Sequence, residues 1–450
     1  MATRMSDSLM YRHLWTAPEL DYLFEETGRL AIWLDILKAL ASAQADLGII
    51  PAASATAIAS LVSVDELDLD YVAAQTRASS HSTLGLIMGL EKRLPPEVHQ
   101  YVYYGATVQD VTDTWFGIVM RDVGDRVAAR LGQVQATLLQ LAETNRDTVM
   151  VGRTHGQPGA PITFGTKVAC WADEVARHIT RLCEGRTRWS TGQLGGAVGV
   201  LGFFHPVGLE LRARFCSALG LGTPDISWLT SRDRLAEFGH TLAMVCATLA
   251  RIGSEIYELQ RPEIGELREP RSSGGVSSIT MPHKRNPESS EHLVTLARLV
   301  RADSTVLLEG MDQQHERDGR GWKAEWIVLP EICEYSLLAT TTAGAVLAGL
   351  EVNAAAMANN LATHGVLLRS EQVLAGLSTK LGKHQAQQLL QVALSELGPD
   401  ADIAAVLAEH GVAASGEELR RWLTRPATGV AGEQVDAVLA AARAPSDCVR

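Results

Sequence analysis

The sequence contains little that would indicate a membrane, secreted or nucleic-acid-binding protein. The first residues, MATRMSDSLMYRHLW, have no apolar core, and no run of eighteen uninterrupted apolar residues occurs in the 450-residue chain. We therefore expect neither a signal peptide nor a membrane span. Lys and Arg number 40 against 52 Asp and Glu, a net charge of −12, which argues against nucleic acid or an anionic membrane as a partner.

Paired cysteine spacings are also absent. None of the six cysteines forms a CxxC or other metal-ligand spacing, and most lie inside apolar helical patterns. This usage favours buried free thiols in a reducing compartment over a disulfide framework. We predict a cytoplasmic protein, and no residue pattern in the chain requires a metal or another cofactor.

Strand signals are scarce, whereas helical periodicity is found throughout. In 236–261, AEFGHTLAMVCATLARIGSEIYELQR, apolar residues recur at alternating spacings of three and four, which gives an a/d seam about seven turns long. A second seam follows the same pattern in 123–146. Aromatic residues form only 5% of the chain. Long seams with few aromatic residues predict an all-α fold built on a long helix bundle.

Turn signals divide the chain into three parts. Residues 1–104 carry short helical patterns, 105–345 hold the long seams, and 346–450 are alanine-rich with shorter helices broken by glycine and proline. We therefore predict an N-terminal helical domain, a central bundle domain and a C-terminal helical domain with these boundaries. The stretch GQLGGAVGVLG (192–202) follows no strand and lacks the GxGxxG register, so we expect a helix crossing or a tight turn there and not a nucleotide site.

The stretch GGVSSITMPHKRNP (274–287) interrupts the helical pattern. Its glycines and serines suit a mobile loop, and Asn286 followed by Pro287 predicts that a helix starts directly after them. Free N–H groups at that helix start, together with the helix dipole and the basic residues 283–285, would stabilise an anion. The sequence therefore predicts a loop suited to stabilising an anion.

Three dispersed motifs resemble the signatures of the aspartase/fumarase superfamily, in the order that this family has them. The loop 272–287 contains S-x-x-M-P-H-K-R-N-P, similar to G-S-S-x-M-P-x-K-x-N-P, with Ser277 and Ile279 as departures. YYGATVQDVTDT (103–114) resembles G-A-T-S-x-D-x-x-D-T, and GRTHGQPGAPITFG (152–165) resembles G-R-T-H-x-Q-x-A-x-P-x-T-F-G. Three motifs in register over the central block are too many for chance.

The resemblance implies a fold, an assembly and a reaction. The subunit would be all-α with three domains and a long central five-helix bundle. Four subunits would form a twenty-helix core, and each active site would take one motif from each of three chains. The family reaction removes the proton next to a carboxylate and expels a β-substituent, usually yielding fumarate. Such chemistry needs a base and a cationic, hydrogen-bonding cradle for the enediolate.

The resemblance also assigns roles to particular residues. Ser278 corresponds to the base on the mobile loop, and Lys284 and Asn286 to the groups that hold the carboxylate as the enediolate forms. His155 corresponds to the general acid for the leaving group, and Glu291 to the carboxylate that pairs with this histidine. Because a serine hydroxyl is a poor base at its ordinary pKa, it would have to act as an alkoxide held by nearby cations.

Further candidates contact the substrate. Thr107 corresponds to a residue that binds a substrate carboxylate. Val108 stands where the family usually has a serine, so we expect Gln109 or a backbone amide to supply the missing hydrogen bond. The other substrate-binding candidates lie in the motifs or in neighbouring segments and are Thr154, Gln157, His81, Ser82, Arg317, Met281, Trp322 and Trp326.

The segment QQHERDGRGWKAEWIVLPEI (313–332) bears on the substrate. Adenylosuccinate lyases have a serine and an arginine for the nucleotide phosphate where this chain has Trp322 and Trp326. The W-x-x-E-W-x-x-L-P pattern instead resembles 3-carboxy-cis,cis-muconate cycloisomerases, whereas TRASSHSTLGLI (76–87) is nearer to the adenylosuccinate branch. For the two tryptophans, core packing and pocket lining both remain open.

We therefore expect a lyase that releases fumarate from a small substituted succinate, for example a nitrosuccinate-type C–N lyase of secondary metabolism. The alternatives are a 3-carboxy-cis,cis-muconate cycloisomerase, an adenylosuccinate lyase and a non-catalytic structural homologue. The presence of all the expected catalytic residues argues against the last of these. The expected partners are a small di- or tricarboxylate and three further copies of the chain.

Overall fold

Helices form most of the chain in the computed structural model, which describes residues 4–61, 63–271, 280–281, 283–395, 403–409, 411–412, 417–418 and 428–443. The chain is 69% helical with few strands, so the predicted all-α class is confirmed. The base predicted in the loop, Ser278, lies outside the described residues.

The helices and strands are numbered here in chain order. The α-helices of the first half are α1 (Asp21–Phe24), α2 (Glu26–Asp46), α3 (Ala52–Ala59), α4 (Leu69–Ser79), α5 (Leu84–Glu91), α6 (Pro96–His99), α7 (Val108–Thr144), α8 (Phe164–Trp189) and α9 (Gly208–Ala218). Those of the second half are α10 (Asp233–Gln260), α11 (Glu288–Glu309), α12 (Gly319–Ala348), α13 (Ala354–His364), α14 (Ser370–Leu381), α15 (Lys383–Ser395), α16 (Ile403–Glu409) and α17 (Ala431–Arg443). Single 3-10 turns lie at Arg12–Leu14, Pro18–Leu20, Val64–Glu66, Gly202–Phe204 and Gly365–Arg369. The strands form two antiparallel pairs, β1 (Val149–Thr154) with β2 (Gln157–Thr163) and β3 (Leu267–Arg268) with β4 (Glu351–Val352).

The predicted seams lie on long helices. On α10 all seven apolar positions of the 236–261 seam are buried, and they are Phe238, Leu242, Val245, Leu249, Ile252, Ile256 and Leu259. On α7 the seam of 123–146 is buried from Val123 to Leu138, and Leu141 at its end is half-buried. Among the described residues, the helices of 22 residues or more are α7, α8, α10, α11 and α12. The heptad reading of the sequence is therefore confirmed for both seams.

The chain divides into two compact units. The first unit combines Met1–Arg130, His178–Ala247 and Thr295–Thr341, and the second combines Leu131–Arg177, Thr248–Val294 and Thr342–Arg450. The division into three domains at 104 and 345 stays a prediction.

Two expectations drawn from absences can be compared with the structure. No helix within the described ranges is long and apolar enough to cross a bilayer. Of the described cysteines, Cys216, Cys246 and Cys333 are buried free thiols, whereas Cys170 is exposed and Cys183 is half-buried. The prediction of buried thiols therefore holds for three of these five positions.

A buried ion-pair triad holds three long helices of the first unit together. Arg232, directly before α10, donates to both oxygens of Asp113 on α7, at 2.7 and 3.1 Å, and through Nε to Glu325 on α12 at 2.8 Å. The three side chains are at most 1% exposed. Burial alone lowers the pKa of a guanidinium, but attraction to the two carboxylates outweighs it and raises the pKa of Arg232. Asp113 belongs to the first motif, so this motif also has a structural role.

We expect Arg232→Met to lower the free energy of unfolding by about 3–5 kcal/mol, because it leaves two carboxylates buried without a counter-charge. Urea denaturation followed by circular dichroism measures the loss. Arg186→Met is the matched control, since Arg186 and Asp125 form an ion pair with side chains 48% and 49% exposed. Such exposed pairs contribute about 1 kcal/mol or less. Equal losses in the two variants would contradict the role given to the triad.

Candidate active site

His155 lies at the tip of the β1–β2 hairpin in the second unit. Thr154 pairs with Gln157 across the hairpin, which leaves His155 and Gly156 as a two-residue loop. Their φ angles are +52° and +74°, the signs that a type I′ turn requires at both central positions. The imidazole and the flanking side chains of Thr154 and Gln157 are exposed. The hairpin thus presents the predicted general acid together with two predicted substrate-binding residues.

Arg153 fixes the hairpin that carries His155. Its guanidinium donates two parallel hydrogen bonds of 2.9 Å to Glu266, whose side chain is fully buried. Asn360 Nδ2 donates to the same carboxylate at 2.8 Å. A bidentate pair of this kind constrains both position and orientation. The arginine of the GRTH motif therefore anchors the strand, a role that the sequence alone did not reveal.

The described end of the loop exposes some of the predicted groups. Lys284 and Met281 are exposed, and Asn286 is half-buried. Between them Arg285 is held in place, because its Nη2 donates to Glu351 Oε1 at 2.9 Å and to the carbonyl of Glu269 at 2.8 Å. The side chain of Lys284, next to this anchored arginine, is exposed to solvent.

The start of α11 differs from the sequence-based expectation. The helix begins at Glu288, and the backbone N–H groups of Ser289 and Ser290 donate to the carboxylate of Glu269 at 3.3 and 2.6 Å. The prediction that these N–H groups are free to bind a substrate anion is therefore wrong, because a side chain nineteen residues before the helix already occupies them. Glu291, predicted to pair with the histidine, lies exposed in the first turn.

In the first unit the structure brings two predicted substrate-binding residues together. Arg317 Nη1 donates a hydrogen bond of 2.6 Å to Thr107 Oγ1. Tyr103, to which the sequence gave no role, lies beside Thr83 and Thr107 and has a left-handed φ of +61°. Burial raises the pKa of Tyr103 above its ordinary value, so its phenol stays a donor. We call Tyr103, Thr107 and Arg317 the Thr107 cluster.

The Thr107 cluster is suited to hold a carboxylate. The Thr107 hydroxyl accepts from Arg317 and can still donate its own hydrogen, while the guanidinium retains further N–H groups. Asp110 fixes the position of Thr107. It accepts the Thr107 backbone N–H at 2.9 Å and the N–H groups of Gly195 and Gly196 at 2.7 and 3.1 Å. Two glycines of the stretch 192–202 therefore bind a carboxylate of the first motif.

Gln109 has a different position from the one expected. It is 1% exposed, and its Nε2 donates to Asp113 Oδ2 at 3.0 Å and to the carbonyl of Leu229 at 2.7 Å. Both N–H bonds of this amide are thus occupied inside the protein. Val108 is also buried. Gln109 supports the buried triad, so compensation for Val108 has to come from elsewhere.

The remaining candidates lie in two places in the first unit. Trp322 and Trp326 pack edge to face with ring centroids 5.3 Å apart, and their buried indole N–H groups have no acceptor among the described residues. His81 is exposed, and its Nδ1 accepts the Leu84 N–H at 3.2 Å at the start of α5. Ser82 is half-buried beside it. Trp322 and Trp326 therefore pack on each other, and neither indole N–H group donates to a described residue.

Each unit thus carries groups suited to part of the family chemistry. The second unit presents an exposed imidazole, a carboxylate and an ammonium group, which can transfer protons and stabilise an anion. The first unit presents the donors of the Thr107 cluster. Within the described ranges, no group of three His, Cys, Asp or Glu side chains could hold a metal ion.

Comparison with known proteins shows which family and which relatives the chain resembles. The profile of the family described as "Lyase" matches residues 12–301. An N-acetyl-S-(2-succino)cysteine lyase of Dickeya dadantii (strain 3937) is 36% identical over 445 residues, 98% of each chain, and one of Enterococcus italicus is 36% identical over 446 residues, again 98% of each. The solved structure of 3-carboxy-cis,cis-muconate lactonizing enzyme from Pseudomonas putida matches with a TM-score of 0.87 at 34% identity, covering 97% of this chain and 99% of that one.

The buried carboxyl group of Asp110 should make the stability of the protein depend on pH. Burial raises its pKa from 3.8 to about 6, and the backbone N–H donors only partly offset this. The folded state therefore holds this proton between pH 4 and 6, where the unfolded chain has released it. The stability contributed by the protonated group falls as pH rises through that window.

We expect the free energy of unfolding of the wild type, relative to Asp110→Asn, to fall by about 2 kcal/mol between pH 4 and pH 7. Urea titrations of both proteins across this range measure the difference, and subtraction removes the contribution of the other titrating groups. A difference that does not vary with pH would show that Asp110 is ionised normally in the folded protein.

Proposed function

The chain belongs to the lyase family of the aspartase/fumarase superfamily, and from this premise we propose that it eliminates a thiol from an S-(2-succinyl)cysteine derivative and releases fumarate. The observation that carries the proposal is the hydrogen bond between Arg317 and Thr107, which builds a site for a carboxylate. The two relatives similar over their whole length point to sulfur as the leaving atom.

Residues of this chain can accept and supply the protons that the proposed reaction transfers. Ser278, as an alkoxide, removes the proton next to the succinyl carboxylate, and Lys284 and Asn286 stabilise the enediolate that forms. The C–S bond then breaks, and its electron pair leaves with sulfur. His155, oriented by Glu291, protonates the thiolate. Fumarate and a neutral thiol are the products.

The carboxylates of the succinyl group need donors in addition to the loop. The Thr107 cluster supplies a hydroxyl and a guanidinium for one of them. Thr154 and Gln157 flank His155 on the hairpin and supply further polar contacts, and Met281 lies in the loop itself. We further propose that the chain acts in the cytoplasm as a homotetramer in which three subunits form each site.

A nucleotide substrate fits these residues less well. A phosphate dianion requires arginine or several hydroxyl and amide donors. At the corresponding positions Trp322 and Trp326 offer one N–H each, and their rings fill space against each other.

A second candidate function is cycloisomerisation of a carboxymuconate. It is favoured by the W-x-x-E-W-x-x-L-P pattern and by the similarity to the enzyme from Pseudomonas putida.

We expect purified protein to release fumarate from N-acetyl-S-(2-succinyl)cysteine with kcat/KM above about 10⁴ M⁻¹s⁻¹, and to leave adenylosuccinate intact. Nitrosuccinate and 3-carboxy-cis,cis-muconate serve as comparison substrates. Ultraviolet absorbance of fumarate and chromatography of the products measure turnover. Preferred conversion of adenylosuccinate or of the muconate would overturn the substrate proposed here and leave the family membership standing.

The same assay examines the base. Ser278→Ala should lose activity on the order of a thousandfold, because an essential proton acceptor is removed. Ser277→Ala, the neighbouring serine of the same loop, is the matched control and should stay within about tenfold of the wild type. Similar activities in the two variants would mean that Ser278 is not the base.

If active sites are shared between subunits, two inactive variants should complement each other. If Ser278 and His155 of one site come from different chains, a mixture of Ser278→Ala and His155→Ala proteins should recover activity. Random exchange of subunits leaves about a quarter of the sites with neither substitution. Each variant refolded alone is the control. Subunit exchange shown by native mass spectrometry, with no recovery of activity, would rule out a site shared in this way.

A further inference from the structure

Three residues around the third motif, the loop 272–287, are joined in a closed ring of hydrogen bonds. The side-chain amide of Gln260, at the end of α10, donates through Nε2 to the carbonyl of Arg285 at 3.0 Å. The guanidinium of Arg285 donates to the carbonyl of Glu269 at 2.8 Å, and the backbone N–H of Glu269 donates to Gln260 Oε1 at 2.7 Å. Each residue therefore donates to the next, and all three belong to the second unit. We call these three residues the Gln260 ring.

The Gln260 ring joins the chain before the third motif to the end of that motif. Glu269 directly follows β3 and precedes the motif, whereas Arg285 lies near the end of the motif. The amide of Gln260 is bonded to both places, although it belongs to a long helix outside the motif. Hydrogen bonds that follow one another in this way polarise and strengthen each other. The ring therefore sets the spacing between the two chain segments.

The neighbours of Arg285 connect this ring with catalysis. A peptide bond is planar, so the plane of the Arg285 carbonyl also contains the nitrogen and the Cα atom of Asn286. Holding that carbonyl therefore fixes the direction in which the chain enters Asn286. Lys284 comes directly before Arg285, whose guanidinium is held by Glu269 and by Glu351. The two residues that stabilise the enediolate in the proposed reaction thus flank the residue that the ring fixes.

Glu269 also fixes the chain after Asn286. Its carboxylate accepts the N–H groups of Ser289 and Ser290 in the first turn of α11, and its side chain is buried. Asn286 therefore lies between two fixed points, the carbonyl of Arg285 and the capped start of the helix. The Gln260 ring and the cap share one residue, so both depend on the position of Glu269.

We propose that Gln260 is a positioning residue of the lyase reaction, which sets the places of Lys284 and Asn286 through the Gln260 ring. This inference rests on the proposed function, because that function gives these two residues their role. A misplacement of about 1 Å at a reacting centre costs on the order of a hundredfold in rate. Since Lys284 and Asn286 act on the enediolate, the loss falls on kcat and not on KM.

Two substitutions open the ring in different ways. Gln260→Glu keeps an acceptor for the Glu269 N–H but has no hydrogen to donate to the Arg285 carbonyl, whereas Gln260→Met removes both bonds without adding a charge. We expect each to lower kcat by between about tenfold and about a hundredfold, with KM within about threefold of the wild type. Steady-state kinetics measure both constants on the substrate, of the four compared above, that the wild type converts best.

Asn353→Asp is the matched control in the same unit. Asn353 Nδ2 donates to the carbonyl of Gly265 at 3.2 Å, and its Oδ1 accepts the N–H of Ala356 at 3.1 Å. The substitution makes the same chemical change as Gln260→Glu, because the new carboxylate keeps the acceptor and loses the donor. Neither partner of Asn353 belongs to the third motif, so kcat should stay within about threefold of the wild type.

A double-mutant cycle shows whether Gln260 acts through Lys284. In Lys284→Gln the group to be positioned has lost its charge, so adding Gln260→Met should reduce kcat by a factor at least about three times smaller than in the wild type. Hydrogen exchange gives a readout that needs no turnover. Deuterium uptake by the peptide 283–291 should be at least about fivefold faster in Gln260→Met and unchanged in Asn353→Asp.

The outcomes separate this inference from the proposed function. A preferred substrate other than the succinyl thioether overturns the proposed function, yet the comparison of variants on that substrate still decides the role of Gln260. Where none of the four substrates is converted, hydrogen exchange of 283–291 decides it. Unchanged kcat in both Gln260 variants, full additivity with Lys284→Gln, or unchanged exchange would each overturn the positioning role. A lower kcat together with faster exchange, in variants shown by circular dichroism to be folded at the assay temperature, supports it.

Discussion

The first unit depends on one buried cation. Arg232 is enclosed between Asp113 and Glu325, which come from two different long helices, and none of the three side chains reaches solvent. A buried charge of this kind is tolerated only when its hydrogen-bonding groups are nearly all satisfied. Gln109 contributes to that satisfaction by donating to Asp113. This is why the polar side chain of Gln109, two positions after Thr107 and expected from the sequence to bind substrate, is hydrogen-bonded inside the protein.

All three motifs combine a residue that stabilises the fold with a residue suited to contact the substrate. In each, the hydrogen bonds of one charged residue fix the backbone, and a residue nearby has a side chain that can meet the substrate. The fixing residues are Asp110, Arg153 and Arg285. The corresponding residues for the substrate are Thr107, His155 and Lys284. An anchored backbone lowers the entropy lost when the presented side chain is held in a reactive geometry. The motifs thus encode positioning as much as chemistry.

Local periodicity explains what the sequence predicts well and what it cannot reveal. The seams of α7 and α10 follow from spacing alone, because burial of an apolar stripe is a property of a single helix. The β1–β2 hairpin was not predicted, since Pro158, Gly159 and Pro161 obscure its alternation. The cap of α11 by Glu269 and the approach of Trp33 to Trp326 join residues that lie far apart in the chain. Such contacts leave no local pattern, so only the folded structure shows them.

The acidity of the chain gives the local cations their importance. With a net charge of −12 the protein as a whole repels dicarboxylates. Many of its arginines are occupied by ion pairs, such as Arg146 with Asp436 and Arg214 with Glu210. Anions therefore have to be attracted where cations lack a close counter-ion and the surroundings are dry, because Coulomb attraction strengthens as the effective dielectric falls. The Thr107 cluster is such a place, because Arg317 is half-buried there and donates to an uncharged hydroxyl.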